Sequence, residues 1–573
     1  LVRRPVRALA AVSRFPHLAG AVLIAALAGA LYSPFLANPP VFDDLYFLWG
    51  QNFAYYATHP FGLELRVPPY FSMAVVQLAW WGHIEAHRIL TLAFHIACAL
   101  GLYKLVFDLQ RYAALRNPAA PATGVEAHLP ALVAAAVFAV HPVAVYGAGY
   151  LIQRTTLFAT LFSLISIVLY LRGLARRNHA DAVLAAMMYS IAVLSKETAV
   201  MLPAAAVIAG LIVEIERRFL LRHAALYAAC CAPAALLVTV LVKMKVGAAY
   251  EPDFEIVSAQ AAQAGGTAAA FGSPWLESAV TQAGLFFRYL ALWLVPDTGA
   301  MSFDWRTEFA GRWPPAVAAL GVTGYAGYGL LGAWLVARGG ALRVAGFGLL
   351  FPWILFFTEF ATVRFQEPFV LYRSYLWAPG LMVVFALALA RLPVRAVAAF
   401  ALLAVPLLGY QAHDRLQTFA SGLALWEDAV AKLPLQAAPG GSRTLYYLSR
   451  EYLSVGRAER AAEIAERCLT EYPATYDCHY ARARIQLRQG QVREALPHLV
   501  SAVALRPERG EARHKLGLAL EHLGCIEEAK DQYRRAARLR SDEARESLDR
   551  LEKRSPAPAK PKRVPEVCGR GFP

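Results

Sequence analysis

Several ionisable residues stand within or beside long apolar runs, where a charge is costly and marks a functional hypothesis. The segment "PPVFDDLYF" holds Asp43 and Asp44, and His141 and Pro142 precede Gln153 and Arg154 inside another apolar stretch. "SKE" places Ser195, Lys196 and Glu197 between two hydrophobic runs, and "VRFQEPFVLYRSYLWAPG" adds Arg364, Glu367 and Arg373. Cations at the membrane boundary can hold a lipid-borne phosphate and stabilise the charge that grows on it as it leaves. A carboxylate can take the proton of an attacking hydroxyl. In that chemistry Asp43 or Asp44 is the base, and Arg154, Lys196 and Arg373, with His141 beside them, hold the phosphate. Arg does so by a forked contact and Lys as a point charge.

The same residues have plainer readings. An acid pair after a helix can cap the next one. Lys196 and Glu197 can pair with each other and reach the interface. Arg154 can orient its helix, His141 can end one, and His59, Glu64 and Arg66 read as surface residues of an interfacial helix. No Gly-rich phosphate loop and no Ser/His/Asp set stands out. An acid pair alone assigns no metal ligands, although a divalent ion is compatible with it.

Helices crossing a bilayer would bring these distant residues to one membrane surface. The chain is 58% hydrophobic and 17% charged, against about a quarter charged in soluble domains. A net charge of +15 then points to basic cytoplasmic loops rather than to nucleic acid. Runs long enough to span fall near 17–37, 86–108, 129–147, 150–171, 182–195, 197–213, 224–243, 314–337, 341–358, 375–391 and 394–412. That makes eleven crossings, with a first outer loop at 38–85 and the basic opening Arg3, Arg4, Arg7 and Arg14 in the cytoplasm. Residues 276–312 are apolar enough to span, but counting them would put the basic turn 338–343 outside. They are therefore expected to be partly embedded, which leaves the carboxyl-terminal part on the outer face.

From about residue 415 the chain becomes charged and amphipathic. Gly456, Gly490 and Gly524 recur every 34 residues, and so do Ala461, Ala495, Ala529 and Pro439, Pro473, Pro507. This is the tetratricopeptide repeat (TPR) period, with small residues where paired helices pack closely. The expected architecture is all-α: a membrane domain at 1–414, a TPR α-solenoid at 415–554 and a disordered Pro/Lys tail at 555–573. Cys468 and Cys478 lie symmetrically about Pro473 and could form a disulfide in an oxidising compartment. Cys525 and Cys568 have no evident partner.

The order of short motifs resembles the transmembrane-and-TPR-containing protein O-mannosyltransferases across most of the membrane half. "FDDLYF" is similar to that family's acidic motif in the first outer loop, and "HRILTLAFHIACAL" to its span-opening pattern, with His95 aligned. Thr91 stands where an Asn is usual. "HPVAVYGAGYLIQRTTLFATLFSLISIVLYLRG" is the clearest match, and "LSKETAVMLP" resembles the family's Ser-Lys-Glu turn. "RYLALWLVPDTGAMSFDW" is similar to a block near a partly embedded segment, while "LYRSYLWAPG" approximates an Arg-Tyr-Leu-Pro turn.

The resemblance implies a GT-C fold, a polyprenyl-phosphate sugar as donor and Ser or Thr of exported proteins as acceptor. It places the catalytic acid on Asp43 or Asp44, with Glu197 and His95 in support. High Ala and Arg content suggests a bacterial inner-membrane protein, a periplasmic TPR domain and undecaprenyl phosphate as carrier. Two other readings stand beside this one. One is a transferase moving lipid-linked oligosaccharide to pilin or to an envelope glycan. The other is a non-catalytic membrane scaffold whose TPR recruits partners. A transporter would place charges near the midplane on broken helices in repeated halves, and no such symmetry is present.

Overall fold

The computed structural model describes residues 14–49, 52–80, 83–114, 125–213, 215–246, 271, 273–434, 437–554 and 568. Arg3, Arg4 and Arg7, and the tail at 555–573 apart from Cys568, lie outside these residues. The described residues are mostly helical, form no strand and make one isolated bridge, Trp305 to Phe369. Two compact units divide the chain, Leu1–Leu425 and Trp426–Pro573. Residue 415, where the composition changes, lies inside the helix Val394–Thr418, so the boundary comes later than expected.

Among the described residues of the first unit, seven helices are long and apolar enough to cross a membrane, or eight if His128–Val140 and Pro142–Ala148, bent by 51°, form one span. The bend falls at His141-Pro142, because proline holds the residue before it extended; His141 has φ −72° and ψ 134°. Each of the eleven expected runs contains a helix. Ala180–Ser195, Glu197–Gly210 and Ala378–Leu389 are shorter than the roughly 20 residues a full crossing takes. Within 276–312 a helix covers Pro274–Leu294 and is followed by irregular chain with short turns at Thr298–Ala300 and Ala310–Arg312. The first loop carries three helices, Asp43–Trp49, Asn52–Thr58 and Val67–Ala79.

Small residues let the late apolar helices approach closely. A methyl group on Gly346 would come within 2.6 Å of the Gly332 carbonyl, and one on Gly380 within 2.6 Å of the Gly348 carbonyl. The pair of helices Arg154–Arg176 and Ala180–Ser195 packs lengthwise, so the turns at 151–153 and 196–201 come to one end of the bundle.

The second unit contains three helix pairs: Gly441–Ser454 with Ala458–Glu471, Tyr476–Arg488 with Val492–Leu505, and Gly510–His522 with Ile526–Arg538. Asp542–Arg554 follows them. Gly456, Gly490 and Gly524 make the turn inside each pair at φ +79°, +76° and +82°, a region glycine enters without steric cost. Ala461, Ala495 and Ala529 are fully buried where the paired helices meet. Disulfides join Cys468 to Cys478 and Cys525 to Cys568. The second bond gives Cys525 and Cys568 the partners that spacing did not reveal.

Candidate functional site

A cavity of about 500 Å³ opens where four pieces of the first unit meet. The first loop contributes Asp43, Phe47, Tyr56, Arg66 and Tyr70, and the turn before the helix Arg154–Arg176 adds Ile152, Gln153 and Thr155. Lys196, Glu197 and Thr198 come from the turn after Ala180–Ser195, and Arg364, Gln366, Glu367, Tyr372 and Arg373 from a late loop. The helix Pro274–Leu294 fixes that loop. Ser278 Oγ accepts from the Arg364 N–H (2.9 Å), Gln282 Nε2 donates to the Pro368 carbonyl (2.7 Å), and Tyr289 Oη accepts from the Val370 N–H (3.0 Å).

The adjacent acids have different surroundings. Asp43 opens the helix Asp43–Trp49, is exposed toward the cavity, and donates its backbone N–H to Tyr150 Oη (3.2 Å). Asp44 is fully buried: Oδ1 accepts from the Ile152 N–H (2.7 Å) and Oδ2 from the Val41 N–H (3.3 Å). Burial pushes its carboxyl up to about 7, although the Arg88 guanidinium and the two N–H donors pull the other way. Phe42, just before the pair, has φ +47°. A bulky residue is rarely held there, and such strain gathers at functional sites.

Four more of the residues named from sequence divide in the same way. Arg154 does not line the cavity; it donates to Thr91 Oγ1 (3.1 Å), Ser72 Oγ (3.3 Å) and the His87 carbonyl (2.7 Å). His95 donates from Nε2 to the Ala139 carbonyl (2.9 Å) and accepts at Nδ1 from Tyr375 Oη (2.7 Å). His141 accepts at Nδ1 from the Val143 N–H (3.3 Å) and stacks on Trp293. All three are buried and tie helices together. Lys196, in contrast, reaches the cavity.

Lys196 and Glu197 do not pair with each other. Glu197 binds Arg66 (3.0 Å), and Arg66, which sequence placed on a surface, lines the cavity at φ +67° with its N–H on the Leu194 carbonyl (2.7 Å). Arg373 and Arg364 share the buried Glu359 Oε2 (3.2 and 3.3 Å), and Arg373 also reaches Glu367 (3.8 Å). Lys196 makes no ion pair among the described residues. Its Nζ approaches Gln153 Oε1 (3.5 Å) and lies 5.3 Å from the centre of the Tyr372 ring. Burial, then the neighbouring Arg66, pushes its ammonium down to about 7. An incoming anion would supply the counter-charge that Lys196 lacks.

Sequence reasoning missed Arg66, Glu359, Tyr372 and the aromatic wall of Phe47, Tyr56 and Tyr70, whose rings lie 4.7 Å (Phe47–Tyr70) and 5.0 Å (Tyr56–Tyr70) apart. Glu359 had a usable signal, an acid directly after an apolar run. The rest had none, since only the fold brings them together. The arrangement can hold an anionic group at Lys196 and present a hydroxyl to Asp43 beside aromatic faces. Among the described residues the only gathering of three metal-type ligands is Cys525, Glu528 and Cys568, two of them joined as a disulfide. A tetratricopeptide repeat family model matches residues 510–543. No curated protein matches the chain.

Proposed function

We propose that this chain is a GT-C-type glycosyltransferase that moves a sugar from a polyprenyl-phosphate carrier to Ser or Thr of exported proteins on the outer face of a bacterial inner membrane. The observation that carries this reading is a cavity that places an exposed carboxylate, Asp43, opposite a buried lysine, Lys196, and it is Lys196 that makes no ion pair among the described residues. Asp43 is the base that takes the acceptor's hydroxyl proton as the new glycosidic bond forms. Lys196, framed by Arg364 and Arg373, holds the phosphate and stabilises its charge as the sugar leaves. Asp44 and Arg154 position rather than react. A divalent ion, if one takes part, would meet the carboxylates of Asp43, Glu197 and Glu367 on the cavity wall.

The same charge balance favours a monophosphate over the more highly charged diphosphate of many oligosaccharide carriers, because the arginines already face carboxylates. The eleven crossings expected from the sequence, with the amino terminus in the cytoplasm, would put the second unit outside. Its two disulfides support that placement, since such bonds persist in oxidising compartments. Cys98, Cys230 and Cys231 of the membrane unit are free thiols. Stacked repeats form extended binding surfaces, which suits recruitment of a protein acceptor.

The donor half is tested with the purified full chain in nanodiscs and two probes, undecaprenyl phosphate and undecaprenyl diphosphate. Saturable binding of the monophosphate, weakened by Lys196→Gln, is expected; binding of neither probe would refute the donor assignment. Removing 426–573 should change which acceptors are modified more than it changes binding of the carrier. An unchanged acceptor set would count against recruitment by the repeats.

A further inference from the structure

The tip of the first loop, at 60–63, is apolar and open. Phe61 is 93% exposed and Leu63 71%, two large apolar side chains open at one tip. Next to the tip, Glu64 accepts from Tyr55 Oη (3.0 Å) and pairs with Lys245 (3.7 Å). Lys245 lies in the last turn of Arg217–Val246, a helix apolar enough to span a membrane. Leu236, Val240 and Met244 on that helix are 67%, 44% and 77% exposed, which marks a lipid-facing strip running to the helix end. Lys243 and Lys245 close the same end.

We propose that this tip is a membrane-interface anchor: Phe61 and Leu63 insert at the boundary of headgroups and acyl chains, and Lys243 and Lys245 meet anionic phospholipid heads. The Glu64–Lys245 contact sets the tip level with the end of a lipid-facing helix, so its apolar side chains continue that helix's strip. Aromatic and aliphatic side chains flanked by lysines are the composition that settles at this depth. The anchor also has a consequence for the cavity. Arg66 follows the tip by three residues and forms part of the cavity wall, so the bilayer surface holds one side of the wall in place. The inference stands independently of the transferase reading.

The test adds one tryptophan to the eleven present. The full chain carrying Phe61→Trp is reconstituted in vesicles of phosphatidylcholine and phosphatidylglycerol with brominated acyl chains, and the added emission is read against the parent protein. At least about half of that increment should be quenched by the bromines and little of it by aqueous iodide, as expected for a residue seated at the interface. Quenching by iodide and not by bromine overturns the proposal, because the tip is then in water. Quenching by neither also overturns it, because protein then covers the tip. Leu63→Trp gives the same readout if Phe61→Trp does not fold, and replacing phosphatidylglycerol with phosphatidylcholine should reduce the quenched fraction.

Discussion

Two groups of polar residues lie one behind the other at the same end of the first unit, and they are used in opposite ways. The rear group, Asp44, Arg88, His95, Arg154 and His141, is buried and spends its hydrogen bonds on backbone and hydroxyl partners. Arg88 alone donates to the carbonyls of Asn38, Pro39 and Gly149 (2.7, 2.8 and 3.0 Å). The front group, Asp43, Arg66, Lys196, Glu197, Arg364 and Arg373, lines the cavity, and in it Arg66 pairs with Glu197 while Arg364 and Arg373 pair with Glu359. A polar residue in an apolar run therefore has two distinct uses. It can close a gap in the backbone's hydrogen bonding, or it can line an open cavity.

Separating the groups experimentally begins with Asp43. On the proposed chemistry Asp43→Asn should lower transfer by about 10²–10⁴-fold, the usual worth of a general base, with an unchanged thermal midpoint. Next is Lys196→Gln, which removes a charged hydrogen-bond donor worth about 1.5–3 kcal/mol. Carrier-phosphate binding should weaken by tenfold or more. Because the Lys196 ammonium is held down to about 7, affinity for the phosphate should fall as pH rises past that value. Lys196→Arg should flatten this dependence, since Arg stays charged.

The rear group should respond in stability instead. Asp44 holds its proton more tightly in the folded chain, near 7 against an ordinary 3.8. Between those values the folded state binds more protons than the unfolded one, so stability falls as pH rises from about 4 to about 7 and levels off above. Asp44→Asn should abolish that slope in thermal unfolding followed across pH. Arg154→Lys keeps the charge but loses the forked geometry, and should cost roughly 1–3 kcal/mol of stability. The smallest effect is expected in the second unit. Cys568→Ser should raise proteolysis of the last repeat while leaving carrier binding unchanged.

The helices and the 34-residue repeat were legible because both depend on local period and apolar run length, which survive in a single sequence. The span count was less so. Run length alone does not separate a full crossing from the shorter Ala378–Leu389 or the bent pair at His141. The site was half legible. Asp43, Lys196, Glu197 and Arg373 were named and brought together, but Asp43 and Asp44 were indistinguishable because burial is set by Ile152, over a hundred residues away. Arg154 and His141 announced themselves as charge in apolar surroundings, yet their partners turned out to be helix backbone and hydroxyls. Arg66 was hidden because its carboxylate partner, Glu197, is distant in sequence.

The most direct test of the central claim is a mass-spectrometric survey of periplasmic glycopeptides in four strains: wild type, gene deletion, and deletion complemented with Asp43→Asn or with Lys196→Gln at matched expression. Glycosylation of specific Ser or Thr residues should vanish in the deletion, stay absent with Asp43→Asn and return only weakly with Lys196→Gln. Unchanged glycosylation in all four strains would contradict the account, and full restoration by Asp43→Asn would remove Asp43 as the base.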